Sequence, residues 1–553
     1  MRKIDDEIQA LLLEHRGDIR SILKDNHRLD LLYALSSQRE LLLEWYDFEP
    51  EAEVLQVGAD YGALTGLLRS SVSAVTVLDD TESALETVRQ RYPGAANIHY
   101  HKDSLTGYAA EACAEGKKYD YVIFAGTLTA PYEDHIHAAK ALLKPEGILI
   151  VASANALGMK YFAGTVEEEN ALTKRQLTEL LCGDRETQSM ADESGALKFY
   201  YPMPDYKTPV SIYSDAYLPK KGDLTRVTPA YDYPPYHMME QGEKFDTVCE
   251  AGLFDLYANS YLVFWSADPK QLQKEDERIF MKYNKTRREE FQIKTCICER
   301  NVAGAETGNK ERYVEKAALS LDGSAHIASF KEKYEKLTKQ HRTLKVAEPK
   351  FAEHRNSVYF PYLVGQTCAE KLGEQLEGGQ LPLDVLQIVM NQIYDISPEC
   401  RSAFVRTEEF DEVFGADLTE EEQDLLLSDT VCEVSNIDAL FENMLMTREG
   451  IYCLDYEWVF LFPVPEHFVK YRILYYFYEQ YSSVLKQLTL DQILGYFGIT
   501  PEMAEVYRKM EVNFQNYVHG ENQELYLGNY MVYSRTVRDI RQTESDLARA
   551  RER

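Results

Sequence analysis

Between residues 50 and 160, short apolar runs alternate with stretches of helical period. Val54-Leu55-Gln56-Val57, Ala74-Val75-Thr76-Val77-Leu78 and Ile98-His99-Tyr100-His101 each read as a buried strand. A fourth strand, YVIFAG, opens at Asp120, and LLKPEGILIVAS supplies a helix end, a turn and a fifth strand. Strands separated by amphipathic helices are the pattern of a parallel α/β sheet. Residues 1–48 read as amphipathic helices leading into it. Further on, KFYYPMPDYKTPVSIYSDAYLP at 198–219 carries four Pro and many Tyr, which predicts an irregular segment packed against a neighbour. Strand-like runs resume over 245–300 (YLVFWS, FQIKTCICE), residues 301–311 read as a hairpin turn, and 324–340 as a helix. From 366 to about 500 the pattern is mainly helical, interrupted at 436–458. The tail VRDIRQTESDLARARER is charged and helical, either the start of a coiled coil or a fraying terminal helix. There is no internal repeat.

Length and charge narrow the class. A chain of 553 residues exceeds one core and implies about three or four domains. Its net charge of −31 repels phosphate backbones and anionic lipid, so nucleic acid is not an expected partner. The first residues, MRKIDDEIQALLLEHRGDI, mix charge into their apolar positions, which is neither a signal peptide nor a membrane span, and no later stretch reaches 18 apolar residues. Nine Cys are scattered without a CxxC pair. Cys296 and Cys298 share a strand face but lack a second ligand pair, so buried thiols in a reducing cytoplasm are expected rather than zinc. The 39 Tyr against 3 Trp suit either sugar stacking or ordinary packing.

The first chemical feature is the turn Gly58-Ala59-Asp60-Tyr61-Gly62, which follows a strand and opens an apolar helix. Glycines at such a junction let backbone approach a ligand, and the helix N-terminus adds its dipole. Asp79 ends the next strand about 20 residues beyond, placed for ribose hydroxyls. Asp103 follows the third strand, placed to meet an adenine amino group. The ordered set, with LLKPEGILIVAS, resembles the class I S-adenosylmethionine-dependent methyltransferases over about 50–160. A dinucleotide-dehydrogenase reading is weaker because the turn lacks GxGxxG. The resemblance implies Gly58, Asp60, Gly62, Asp79 and Asp103 as cofactor-binding residues. It also exposes two departures: Gln56 stands where the family carries an acid, and Asp60 where it carries Gly. Asp60 is then the candidate for the methionine ammonium. The run Asn155–Gly164, followed by FYYPMPDYK and IYSDAYLP, is similar to methyltransferases found beside glycosyltransferases in bacterial surface-polysaccharide gene clusters, extending the match to about 220. Where that group has an Asp-His pair, this chain has Glu167-Glu168-Glu169-Asn170. His135 and His137 are the nearest candidate bases in sequence.

The second feature is NIDALFENMLMTREGIYCLDYEW at 436–458. Phosphoryl transfer needs a carboxylate at the attacking hydroxyl, and an Asn and a carboxylate on Mg²⁺. Asp438, Asn443 and Asp455 have that order and spacing, which resembles the catalytic loop and metal-binding Asp of protein-kinase-like folds. Asn436 stands where that family has His, and Tyr456-Glu457 where it has Phe-Gly. Upstream, Lys316 on a strand-like run is the candidate for the α/β-phosphates of ATP, and Glu335 is its candidate ion-pair partner. Val358–Gly365 looks like the last strand and hinge of the smaller lobe, while a Gly-rich phosphate loop is missing. By this resemblance Asp438 is catalytic, Asn443 and Asp455 bind metal, and ATP and Mg²⁺ join S-adenosylmethionine as cofactors. Arg472 reads as a structural ion-pair partner.

The expected fold class is therefore α/β: a Rossmann-like methyltransferase domain, an α+β protein-kinase-like domain and a helical C-terminus. The expected boundaries are 1–48 (helical lead-in), 49–225 (methyltransferase), 226–270 (connection), 271–500 (kinase-like) and 501–553 (tail). The order is similar to bifunctional enzymes that terminate O-antigen chains, which implies phosphorylation and methylation of a sugar or glycan terminus. Implied partners are the glycan acceptor, glycosyltransferases of the same pathway and a second copy through the C-terminal helix, with a cytoplasmic location at the membrane's inner face. Two alternatives stay open: a methyltransferase whose kinase-like half is an inactive acceptor platform, and a non-catalytic scaffold.

Overall fold

The computed structural model describes residues 3–183, 195–224, 236–239, 241–302, 310–352, 356–377, 383–482, 485, 488–528, 535–536 and 540–551. These form two compact units. The first comprises Met1–Lys285, Cys296–Glu311 and Glu524–Arg553, and the second Thr286–Thr295 and Arg312–Gln523. The units are thus interleaved along the chain, where the sequence suggested consecutive blocks. Leu525 is buried among Ile8, Leu12, Ile22 and Leu31 of the N-terminal helices, so the end of the chain completes the core of its beginning.

In the first unit the strands are β1 (Glu53–Val57), β2 (Ala74–Asp79), β3 (Ile98–Lys102), β4 (Tyr119–Ala125), β5 (Leu143–Ala154), β6 (Ala196–Met203), β7 (Ser211–Ser214), β8 (Tyr236–His237), β9 (Ser260–Ser266) and β10 (Asp276–Tyr283). Their order in the main sheet is β3-β2-β1-β4-β5-β9-β6-β7-β10. β1 to β5 are mutually parallel, with Gln56 opposite Val77 on one side and Ile123 on the other. β9 runs antiparallel between β5 and β6. The apolar runs of β1, β4 and β5 are buried nearly throughout because helices cover both faces of a parallel sheet. The expected Lys144–Gly147 turn is absorbed into β5, whose pairing with β4 shifts register between Tyr119 and Tyr121. β8 pairs instead with the short strand Arg535–Thr536.

Along β11 (Ile293–Asn301) and β12 (Lys310–Ala318) the chain passes from one unit to the other. The expected turn between them falls on residues 303–309, outside the described residues. In the second unit β12 pairs antiparallel with Ser357–Pro361, setting Lys316 opposite Val358. The helix Phe330–Gln340, the hairpin Met444–Thr447/Gly450–Cys453 and the long helices Glu466–Tyr481 and Pro501–His519 complete it. Phe330, Phe410, Phe414, Phe441, Tyr456 and Tyr507 are among its largest fully buried side chains. Among the described residues no helix is long and apolar enough to cross a membrane. Cys296 and Cys298 are buried on β11 and form no disulfide among the described residues.

Phe414 meets Phe410, Phe460, Phe468 and Phe514 at ring distances of 5.3–5.9 Å. Phe414→Ala should destabilise the protein by about 3–5 kcal/mol, whereas Leu13→Ala, at a side chain 68% exposed, should change stability by less than about 0.5 kcal/mol. Urea unfolding followed by far-UV circular dichroism measures both.

Candidate functional site

The strand order reverses between β1 and β4, since β2 lies on one side of β1 and β4 on the other. In an open parallel sheet such a reversal leaves a crevice at the carboxyl ends, where ligands bind. The turn after β1 sits there. Gly58 (φ +87°) and Gly62 (φ +74°) take left-handed conformations, and so do Asp60 (φ +41°) and Tyr61 (φ +55°). Without a Cβ, Gly58 lies directly against Thr127 after β4: a Cβ there would be 2.5 Å from Thr127 Cγ2.

Four groups hold this turn. Gln56 is 3% exposed; its amide donates to Gly58 O at 3.1 Å and Ala59 O at 3.3 Å, and its Oε1 accepts from Thr65 Oγ1 at 2.8 Å. Gln56 is therefore a brace for the turn. Asp79 Oδ2 accepts from Ala59 N at 2.9 Å and Oδ1 from Thr81 N at 2.9 Å. Arg91 donates to Tyr61 O at 2.8 Å and to Ala34 O and Leu35 O at 3.1 and 3.0 Å. Arg39 donates to the Asp60 carboxylate. Asp60 is thus one half of an ion pair, with its side chain 23% exposed.

Arg39 was not picked out from the sequence. It is 4% exposed, and its Nε is buried with no hydrogen-bond partner among the described residues. Nothing in the chain marks it out, because charges recur throughout the N-terminal helical pattern. An acid and an arginine side by side at the turn match the two charges of an amino-acid zwitterion. Asp103 stands after β3, with Oδ1 accepting from Ser104 N at 2.7 Å; it, His101 and Glu111 bring ligand atoms within 4.8 Å of one another. His135 and His137 ride the helix Tyr132–Leu142, and the His135 ring bonds Thr129 O at 2.8 Å. Among the described residues neither His is hydrogen-bonded to the turn.

In the second unit the predicted residues do converge, with one exchange. Lys316, 6% exposed, places Nζ 2.8 Å from both Asp455 carboxylate oxygens. Asn443 donates to Asp438 O at 2.9 Å, and Asp438 Oδ2 accepts from Trp458 N at 3.0 Å. Glu335 does not join Lys316. It is exposed on the helix Phe330–Gln340, whose buried side carries Lys333 instead. Glu457 takes the place: 3% exposed, it lies 3.9 Å from Lys316, 2.8 Å from His326 Nε2, and pairs with Arg287. Lys333 donates to Glu457 O. Arg472 is structural as expected, bonding Ile437 O at 3.1 Å and Glu511 at 2.7 Å.

Charge and burial set the protonation of this cluster. Burial pushes the Glu457 carboxyl up, but Arg287, His326 and Lys316 outweigh it and hold it well below the ordinary range. Burial lowers Lys333 to about 8. Burial, then the Asp455 charge, raise Asp438 to about 7.

No family model matches the chain, and no curated protein matches it. Solved structures do. The N-methyltransferase NodS from Bradyrhizobium japonicum WM9, in complex with S-adenosyl-L-homocysteine, is 19% identical over 22% of this chain and 63% of its own, with a TM-score of 0.19. A precorrin 8w decarboxylase from Methanobacterium thermoautotrophicum is 14% identical over 42% and 90%, with a TM-score of 0.25. An O-methyltransferase family protein from Burkholderia thailandensis is 18% identical over 25% and 41%, with a TM-score of 0.20.

Asp438 yields a pH prediction. The folded protein keeps its proton up to about pH 7, whereas the unfolded chain loses it near 3.8. The folded state thus binds more protons between those values, so this contribution to stability is full below pH 4 and is lost as pH rises through 7. The melting temperature of Asp438→Asn relative to wild type should rise from pH 4 to pH 8. A flat difference would show that Asp438 ionises normally in the fold.

Proposed function

We propose that the first unit is an S-adenosylmethionine-dependent methyltransferase. The observation that carries this is the glycine turn at the β1/β4 reversal, with Asp79 and Asp103 at the carboxyl ends of the next two strands. Each Asp79 oxygen receives a backbone N–H and retains lone pairs for a ribose hydroxyl. Asp103 would receive the adenine amino group, and Arg39 with Asp60 the methionine carboxylate and ammonium. The bound sulfonium supplies an activated methyl group; the protein's part is to fix donor and acceptor in line.

We further propose phosphoryl transfer in the second unit, supported by the convergence of Lys316, Asp438, Asn443 and Asp455. The donor set fits a magnesium nucleotide: burial and then the Asp455 charge raise Asp438, and a divalent cation would relieve the repulsion between the two carboxylates. Lys316 would hold the phosphates, Asn443 and Asp455 the metal, and Asp438 the acceptor hydroxyl. A kinase-like fold and a helical C-terminus belong to this reading. The sequence resemblance at 155–220 makes a sugar or glycan terminus of a bacterial surface polysaccharide the proposed acceptor, in the cytoplasm beside the pathway's glycosyltransferases, with the helix Ile540–Arg551 as a contact for a second copy.

Calorimetric titration separates the readings. Wild type should bind S-adenosylmethionine, and Arg39→Ala should weaken that binding at least tenfold without changing Mg-ATP binding. Lys316→Met should do the reverse. No heat with either ligand would leave the scaffold reading alone standing.

A further inference from the structure

The loops leaving β5 and β6 meet beside the glycine turn, through Gly126. A Cβ on Gly126, the residue after β4, would lie 2.5 Å from the hydroxyl of Tyr206, just as the next residue, Thr127, fills the space against Gly58. Tyr206 is 4% exposed and donates to Glu168 Oε2 at 3.3 Å. The other oxygen of Glu168 lies 2.8 Å from Lys160 Nζ and 3.2 Å from Lys207 Nζ. Lys160 is anchored behind it by Asp205 at 2.7 Å, and its backbone N–H by Asn259 Oδ1 at 2.8 Å. Within this network the Glu168 side chain is 27% exposed, against 7% for Lys160 and 4% for Asp205. The carboxylate is thus the most exposed of these charged groups, ahead of Lys207 at 18%. The hydroxyls of Thr165 and Thr208, on the same two loops, are buried without a partner among the described residues.

We propose that Glu168 is the acceptor-side group of the methyl-transfer site, and that the acceptor presents a neutral hydroxyl, as a sugar does, rather than a phosphate. The inference rests on the methyltransferase reading above and names the substrate class of that site. Lys160 and Lys207 are both paired with carboxylates, so the network offers no free positive charge to a phosphate dianion, while the partly exposed Glu168 carboxylate repels one and has lone pairs left to accept from an O–H. Burial works to raise the Glu168 carboxyl, but the two lysines hold it below its ordinary range, so it is ionised before the acceptor arrives. In the transfer the acceptor oxygen forms a bond to the methyl carbon, and the carbon–sulfur bond breaks with its electron pair left on sulfur. The acceptor proton passes to Glu168. The products are the methyl ether, S-adenosylhomocysteine and a protonated carboxyl that returns its proton to water.

The test uses the full chain loaded with S-adenosylhomocysteine. Methyl glycosides of glucose, galactose and mannose, and the matching sugar 1-phosphates, are the probes for saturation-transfer NMR; methyl transfer from S-adenosylmethionine is then measured with each. A neutral glycoside should bind and be methylated, with the phosphates at least tenfold poorer. Glu168→Gln should hold S-adenosylhomocysteine within about twofold of wild type yet lose at least tenfold in turnover; Glu167→Gln, at an exposed neighbour, should change neither. Preference for the phosphates, engagement of no glycoside, or full turnover by Glu168→Gln would overturn the assignment. Failure of wild type to hold S-adenosylhomocysteine would instead bring down the methyltransferase reading itself.

Discussion

A chain that leaves β1 must turn back across the sheet's end with four residues, Gly58, Asp60, Tyr61 and Gly62, on the left-handed side of φ space. For glycine that conformation is free; for Asp60 and Tyr61 it costs about 1–3 kcal/mol each. The turn persists because its surroundings over-determine it. Gln56 holds it from the strand below, Asp79 from the neighbouring strand, and Arg39 and Arg91 through the N-terminal helical region. Arg91 bridges Tyr61 to Ala34 and Leu35. The N-terminal helices are accordingly part of the turn's construction, and Leu525 in their core makes the far end of the chain part of it as well.

The second unit rests on a different constraint, the burial of opposite charges. Lys316, Lys333 and Glu457 are each less than a tenth exposed. Moving such ions from water costs several kcal/mol apiece, recovered only when each finds partners of good geometry. Glu457 meets that condition with Arg287, His326 and Lys316. Removing one member of a buried pair leaves the other uncompensated, typically a loss of 3–5 kcal/mol, so neutral substitutions there should be sensitive beyond any role in chemistry. Burial first, and then the repulsion of Asp455, leave Asp438 a titratable group near neutrality.

Legibility in the sequence tracked how local each feature is. β1 to β5, the glycine turn and the acids after β2 and β3 could be read because each is written in a few consecutive residues with a strand's alternation or a turn's glycines. Asp438, Asn443 and Asp455 drew notice because all three lie in the one stretch 436–458. Glu335 misled because a spacing along the chain does not say which face of a helix is buried; on Phe330–Gln340 that face belongs to Lys333. Arg39 was hidden because its partner lies 21 residues away across a turn. Tyr206 and Glu168, 38 residues apart, looked like an irregular Tyr-rich stretch and a departure from a family pattern.

The amino-acid sequence by itself determined which elements form and where backbone must bend, since burial periodicity and glycine conformation are properties of neighbouring residues. It also determined which residue types were on hand for chemistry. Only the tertiary structure decided their pairing: that Asp60 serves Arg39, that Glu457 replaces Glu335, that Gln56 braces rather than binds. Charge pairing depends on distances of a few ångströms between segments far apart in the chain, and those distances exist only once the two cores have closed.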